Sequence, residues 1–163
     1  MKINTFKLGI DPGLTGAIAL LNGDELIKLW DMPLTERRSG KGQEVNPYLL
    51  SDIIAEVREI SANHALAAQI EEVGAMPGQG VTAMFGFGMS FGIVRGVLAA
   101  HGISTTAVRP QAWKKRFSLI RKNKDASRAL AIERFPEHSR ELSRKKDNGR
   151  ADAIFIALYN PLY

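Results

Sequence analysis

Cysteine is absent from the 163 residues. That excludes a disulfide framework, a thiolate metal site and a cysteine nucleophile, and it fits a reducing compartment. Histidine is scarce. His64, His101 and His138 are scattered, without the close spacing of imidazole metal ligands, and are expected at the surface or at helix caps. The chain has no internal repeats and no low-complexity tracts. No basic segment followed by an apolar run opens it, so no secretory leader is expected. A clean membrane-spanning run is missing too. Residues 73–94 carry no charge over 22 positions, but they hold six glycines and Pro77, with the turn-like Pro77-Gly78-Gln79-Gly80 among them. A spanning helix needs about 20 mainly apolar residues. This stretch reads instead as a loop followed by a buried helix, and no membrane partner is expected.

Hydrophobic residues make up 45% and charged residues 24%. That is the balance of a globular domain, not of a disordered, collagen-like or coiled-coil chain. The length suits one domain over residues 1–163. The net charge of +5 is unevenly placed. Residues 1–100 hold 8 Lys/Arg against 11 Asp/Glu, and residues 101–163 hold 14 against 6. Such segregation points to a basic face of the kind that meets nucleic acid. A plainly solvated face is the alternative.

Short apolar runs at 6–11, 15–21 and 25–30 predict three strands, with Asn22-Gly23 as a hairpin turn between the second and third. Residues 34–45 are polar and read as a mobile loop. Asn46-Pro47 is an N-cap followed by a favoured first helical residue, and Leu49, Leu50, Ile53, Ile54, Val57 and Ile60 keep helical spacing. Residues 65–71 read as a strand buried on both faces. A helix over 82–101 follows, stopped by Gly102, with Gly88, Gly92 and Gly96 on one face. Residues 103–108 form a strand; 111–117, 126–135 and 149–159 form helices. Strands first antiparallel and then alternating with helices predict an α/β fold: a mixed five-stranded sheet flanked by helices.

Three acids fall where such a sheet gathers its sites. Asp11 ends the first strand and Glu71 the fourth. Asp152 opens the last helix, with Asp147 five residues before it. An acid after buried apolar residues is costly unless paired or bound to metal. Taken singly, Asp11 also suits a turn before Pro-Gly, and Asp152 a helix dipole. Glu72 is a rival to Glu71 that alternation turns to the other face. A carboxylate cluster without His or Cys suits Mg²⁺ or Mn²⁺. With a basic surface it points to phosphoryl transfer, where two ions activate a water and stabilise the leaving oxygen.

Gly9-Ile10-Asp11-Pro12-Gly13, Ile70-Glu71-Glu72-Val73 and Gly149-Arg150-Ala151-Asp152-Ala153 resemble the three acidic motifs of RuvC-type Holliday junction resolvases. Ala75-Met76-Pro77-Gly78-Gln79-Gly80, Phe85-Gly86-Phe87-Gly88 and Pro110-Gln111-Ala112-Trp113-Lys114 resemble the phage and prophage branch. The resemblance implies a ribonuclease-H-like fold, a homodimer in the cytoplasm of a bacterial or phage-infected cell, and paired Mg²⁺-dependent cuts in four-way DNA junctions. It implies Asp11, Glu71 and Asp152 as metal ligands and catalytic residues, and Lys114 and Lys124 as DNA contacts. The family's bacterial members carry a fourth ligand where this chain has Gly149; Asp147 is the expected substitute, with Asn148 behind it. They also carry an aromatic wedge where this chain has Gly74, Ala75 and Met76.

Lys115, Arg144, Lys145, Lys146 and Arg150 complete the expected DNA face. Trp113 is expected as a core anchor, and Phe85, Phe87, Met89 and Phe91 as core or dimer contacts. The Gly88, Gly92 and Gly96 face either meets a second copy of the chain or packs on the chain's own sheet. An actin-like ATPase domain, suggested by Asp11-Pro12-Gly13-Leu14-Thr15-Gly16, and a DNA-binding module that does not cut are the other readings.

Overall fold

The computed structural model describes residues 5–62, 64–72, 74–75 and 77–160; Val73 and Met76, which belong to motifs named above, lie outside them. The first apolar runs form antiparallel strands β1 (Phe6–Ile10), β2 (Ala17–Asn22) and β3 (Glu25–Asp31). The turn is Gly23-Asp24, one residue later than expected, because Asn22 still pairs with Glu25. Gly23 has φ +61°, as the first turn position of a type II′ hairpin requires. Residues 34–45 are not simply a loop. Their ends pair as a short antiparallel ribbon, β4 (Leu34–Glu36) and β5 (Gln43–Val45). Val45 is buried in the core and anchors it.

Helix α1 (Pro47–Ile60) starts where the sequence places it. The Asn46 side chain accepts from the N–H groups of Tyr48 and Leu49 at 3.0 and 3.1 Å, satisfying two otherwise orphaned donors. Strand β6 (Leu66–Glu71) runs parallel to β1, and β7 (Ser104–Val108) parallel to β6. The sheet order is β3-β2-β1-β6-β7, the expected mixed five-stranded sheet. β6 is not buried on both faces, however. Ala68 and Ile70 are buried, while Ala67 on the opposite face is exposed and Gln69 half-buried.

Helices α1 and α2 (Val81–Ala100) cover one face of the sheet, closing over Leu8, Ile10, Ile18, Leu20 and Ile70. Helices α3 (Pro110–Arg116), α4 (Ala126–Arg134) and α5 (Asn148–Leu158) build the core on the other face around Trp113 and Phe155. Two 3₁₀ segments, Pro136–Leu142 and Lys145–Asp147, join α4 to α5. Helix α5 lies tight against β1 at Gly9, where a Cβ would stand 2.0 Å from the Ala153 carbonyl oxygen. Only glycine allows that approach. The glycine of the first acidic motif therefore sets the seat of the helix that carries the third.

Helix α2 departs most from expectation. It ends in a Schellman motif, with Ile103 N–H donating to Leu98 O at 2.9 Å and Gly102 N–H to Ala99 O at 3.0 Å. Its core stripe is Ser90, Val94 and Leu98. Val81 and Phe85 are 84% and 71% exposed, and a Cβ at Gly88, Gly92 or Gly96 would meet open space. The glycine face does not pack on the chain's own sheet, and the helix is not the buried one predicted. By length and composition alone, α2 is also the one helix among the described residues that fits a bilayer.

Candidate functional site

Ile10 and Ile70 are register partners at the ends of parallel β1 and β6, so Asp11 and Glu71 leave the sheet side by side. The first turn of α5 reaches the same edge. A Cβ at Gly149 would lie 2.2 Å from the Thr15 carbonyl oxygen, and this contact brings Asp152 alongside Asp11 in a cleft of about 510 Å³. Asp11 and Glu71 each have one fixed donor. The Gly13 N–H donates to Asp11 Oδ1 at 3.0 Å, and the Trp113 indole N–H to Glu71 Oε2 at 3.0 Å. Ser127 lies beside Asp152 in the cleft and favours its charged form. Trp113 is fully buried, as expected of a core anchor, and it also orients Glu71.

The three carboxyls are displaced upward together. Burial raises Asp11, against the Gly13 hydrogen bond and the Lys114 charge. Burial pushes Glu71 up to about 7, reinforced by the charges of Asp11 and Asp152 and opposed by Trp113 and Lys114. Burial pushes Asp152 up to about 6, opposed by Ser127 and Lys114 and reinforced by Asp11. Glu71 thus senses both other acids and Asp152 senses Asp11, as expected of side chains gathered at one edge of the sheet. Among the described residues no three such side chains close into a ready-made ion cage. They form a buried, mutually repelling trio whose shared compensating charge is Lys114, a set that a cation would stabilise. With oxygen donors only, it suits a hard divalent ion.

Asp147 does not join them. It is 1% exposed and faces Arg144, whose Nη2 and Nε reach Oδ1 at 2.7 and 3.1 Å and whose backbone N–H donates to Oδ2 at 2.8 Å. Burial raises its carboxyl, but the Arg144 hydrogen bonds and charge outweigh this and hold it below the usual range. Its lone pairs are committed, so it is a poor fourth ligand. Asn148 does line the cleft, although its amide already bonds Arg128 and Asp125. Gly149 itself leaves no room for a side chain.

The basic face is revised in the same way. Lys114, Lys124, Lys145 and Lys146 line the cleft. Lys115 is exposed outside it. Arg144 is taken by Asp147. Arg150 donates to Asp31 at 2.6 Å and to the Glu141 carbonyl at 3.0 Å, so it ties α5 to β3 and the 3₁₀ segment instead of lining the cleft. Arg121 and Lys122 also line the cleft, beyond the expected set; the basic run Arg121-Lys122-Asn123-Lys124 is their signal in the sequence. Nothing in the sequence marked Ser127. Glu72 points away, 3.4 Å from Arg109. His64, His101 and His138 bond Ser61, Ser51 and Glu141, respectively.

No protein-family model matches the chain. It is 32% identical over 151 residues to the chloroplastic Holliday junction resolvase MOC1 of Chlamydomonas reinhardtii, which covers 80% of this chain and 17% of that protein. The chain thus spans about a sixth of the length of this curated relative. Among solved structures, Thermus thermophilus RuvC in complex with a Holliday junction substrate superposes with a TM-score of 0.60 at 19% identity, over 94% of this chain and 90% of that one. A second T. thermophilus RuvC structure gives 0.59 at 17%, over 94% and 91%. The strand order and the helices on both faces of the sheet are those of the ribonuclease-H-like fold that this chain shares with RuvC.

Proposed function

We infer that the chain, acting as one nuclease domain, is a metal-dependent endonuclease that resolves four-way or branched DNA junctions by paired nicks. One observation carries the reading: Asp11 and Asp152 line a cleft shared with Lys114, Arg121, Lys122, Lys124, Lys145 and Lys146, Glu71 stands beside Asp11 at the end of β6, and Lys114 is the charge that offsets the three carboxylates. The relatives named as Holliday junction resolvase and as RuvC bound to a junction support the substrate class. The phage or prophage branch rests on the motifs at 75–80, 85–88 and 110–114.

Asp11, Glu71 and Asp152 would hold two Mg²⁺ ions, with Mn²⁺ able to substitute. Bound there, the metal would supply an activated water and charge neutralisation at the phosphate. The protein's own groups do the rest. Gly13, Trp113 and Ser127 orient the three carboxylates. Lys114, with its ammonium 5.2 Å from the Trp113 ring centroid, lies where charge builds on the phosphate. Lys124, Lys145 and Lys146, with Arg121 and Lys122, seat the flanking backbone.

A four-way junction offers two equivalent strands, so a twofold dimer matches it. The outward face of α2 suits the second copy: Gly88, Gly92 and Gly96 admit a close backbone, and Val81 and Phe85 add apolar area. Light scattering should give a dimer at micromolar concentration; a monomer, with and without junction DNA, contradicts this assembly. The deciding experiment is nicking of a labelled four-way junction. Cutting should need Mg²⁺ and vanish in Asp11→Asn, with junction binding retained. Substantial cutting by Asp11→Asn would overturn the site.

A further inference from the structure

Asp11 is a wall between two cavities. On one side is the basic cleft. On the other is a more apolar cavity of about 670 Å³, within the roughly 300–1,000 Å³ usual for small-ligand sites. The first loop supplies Leu14, and the inner face of α2 supplies Phe87 and Ser90. The Phe87 ring edge lies about 3.9 Å from where a Cβ on Gly13 would be, so the ring sits against the turn that holds Asp11. Phe87 is 42% exposed, with its surface open to the cavity. It is thus separated from Phe91, which packs on the core, and from outward-facing Phe85.

Arg37 closes the far side. Its Nε donates to the Gln43 carbonyl at 3.1 Å, which fixes the guanidinium on the β4–β5 ribbon. Its Nη2 lies 3.0 Å from the Cβ position of Gly86, a seat that a glycine leaves open. Among the described residues no carboxylate pairs with Arg37. An aromatic ring and a fixed, unpaired guanidinium thus share an apolar cavity one wall away from the candidate metal centre.

On the nuclease reading above, we propose that this cavity receives the nucleobase next to the cut phosphate, and that Arg37 and Phe87 select it. The base stacks on Phe87 and presents an acceptor edge to Arg37. Guanine fits best, because its O6 and N7 take both guanidinium donors and a purine gives the larger stacking face. Nucleotide chemistry matches the place: a strand crossing Asp11 has its phosphates in the basic cleft and must put its next base somewhere. The cavity is the apolar space on that side.

The test uses four-way junctions identical except for the bases flanking the cut phosphate, varied one side at a time. The wild type with Mg²⁺ should cut the guanine junction about tenfold or more faster than the others. Arg37→Met should erase that ratio while leaving the melting temperature unchanged. Equal cutting of all four by the wild type, or an unchanged ratio in Arg37→Met, overturns the subsite. A second arm needs no cutting. With 2-aminopurine at the flanking position, binding by Asp11→Asn protein should change the fluorescence as the base leaves the stack, and Phe87→Ala in that background should abolish that change. Failure of the wild type to cut any junction sinks the nuclease reading by itself; no fluorescence change on binding, or one that survives Phe87→Ala, sinks the subsite.

Discussion

Asp147 and Asp152 stand five residues apart at the start of α5, both taken out of water, and their carboxyls move in opposite directions. Asp152 is pushed up to about 6 by burial, with the Asp11 charge adding to it. Asp147 is held below the usual range by Arg144. The difference is compensation. Asp147 has a guanidinium and a backbone N–H; Asp152 has one hydroxyl and two neighbouring carboxylates. Burial alone therefore does not mark a site, whereas burial left uncompensated does. The cations divide likewise. Arg144 and Arg150 are spent on carboxylates of the fold, while Lys124, Lys145 and Lys146 line the cleft.

The sharpest test of this contrast is activity. Asp152→Asn should lower Mg²⁺-dependent junction cutting on the order of 10³-fold, with binding in EDTA little changed. Asp147→Ala should leave cutting of the folded protein within a few-fold. It should instead cost about 2–3 kcal/mol of stability, since a buried, charge-assisted cluster is lost, and lower the melting temperature by roughly 5–10 °C. A 10³-fold loss in Asp147→Ala at unchanged melting temperature would return that residue to the ligand set.

Metal-free stability against pH separates the same two acids. In the folded chain Glu71 and Asp152 are pushed up to about 7 and about 6, from ordinary carboxyl values of 4.5 and 3.8. Between those limits the unfolded chain has released protons that the folded chain retains, so this contribution makes stability fall as pH rises. In EDTA the melting temperature should therefore drop by roughly 10 °C from about pH 5 to about pH 7.5, corresponding to about 4 kcal/mol. Excess Mg²⁺ should restore it, and Glu71→Gln should flatten the slope. Asp147 has the opposite sign. Its stabilisation is full above 3.8 and is lost as pH falls through its lowered folded value. A metal-free protein equally stable across pH 5–7.5 would contradict the uncompensated trio.

The smallest effect concerns salt. Replacing Lys146 or Lys124 with Ala should reduce the slope of log affinity against log salt by about 1. Arg150→Ala should instead lower stability and leave that slope unaltered. An equal change in slope for all three would mean that Arg150 leaves Asp31 to meet DNA.

Much of this was legible because it is local. The Asn46 cap, the Gly23 hairpin, the Gly102 stop and the acids ending β1 and β6 each follow from a few adjacent residues. The fate of residues 34–45 was hidden, because a short ribbon depends on Val45 reaching a core built by distant segments. The two arginines were hidden for a related reason: a basic run looks the same whether its charges face DNA or an acid on another element. Arg121 and Lys122 carry a local signal in their basic run, while the Trp113–Glu71 bond joins residues 42 apart.

The sequence by itself determined the alternation of strands and helices, the three acids and the glycines that let α5 settle on β1, since these depend on residue type and spacing. The tertiary structure alone decided which acids remain uncompensated, which cations remain open and which face of α2 stays bare. Charge compensation and packing are pairwise properties of groups far apart in the chain, and only the folded arrangement fixes who meets whom.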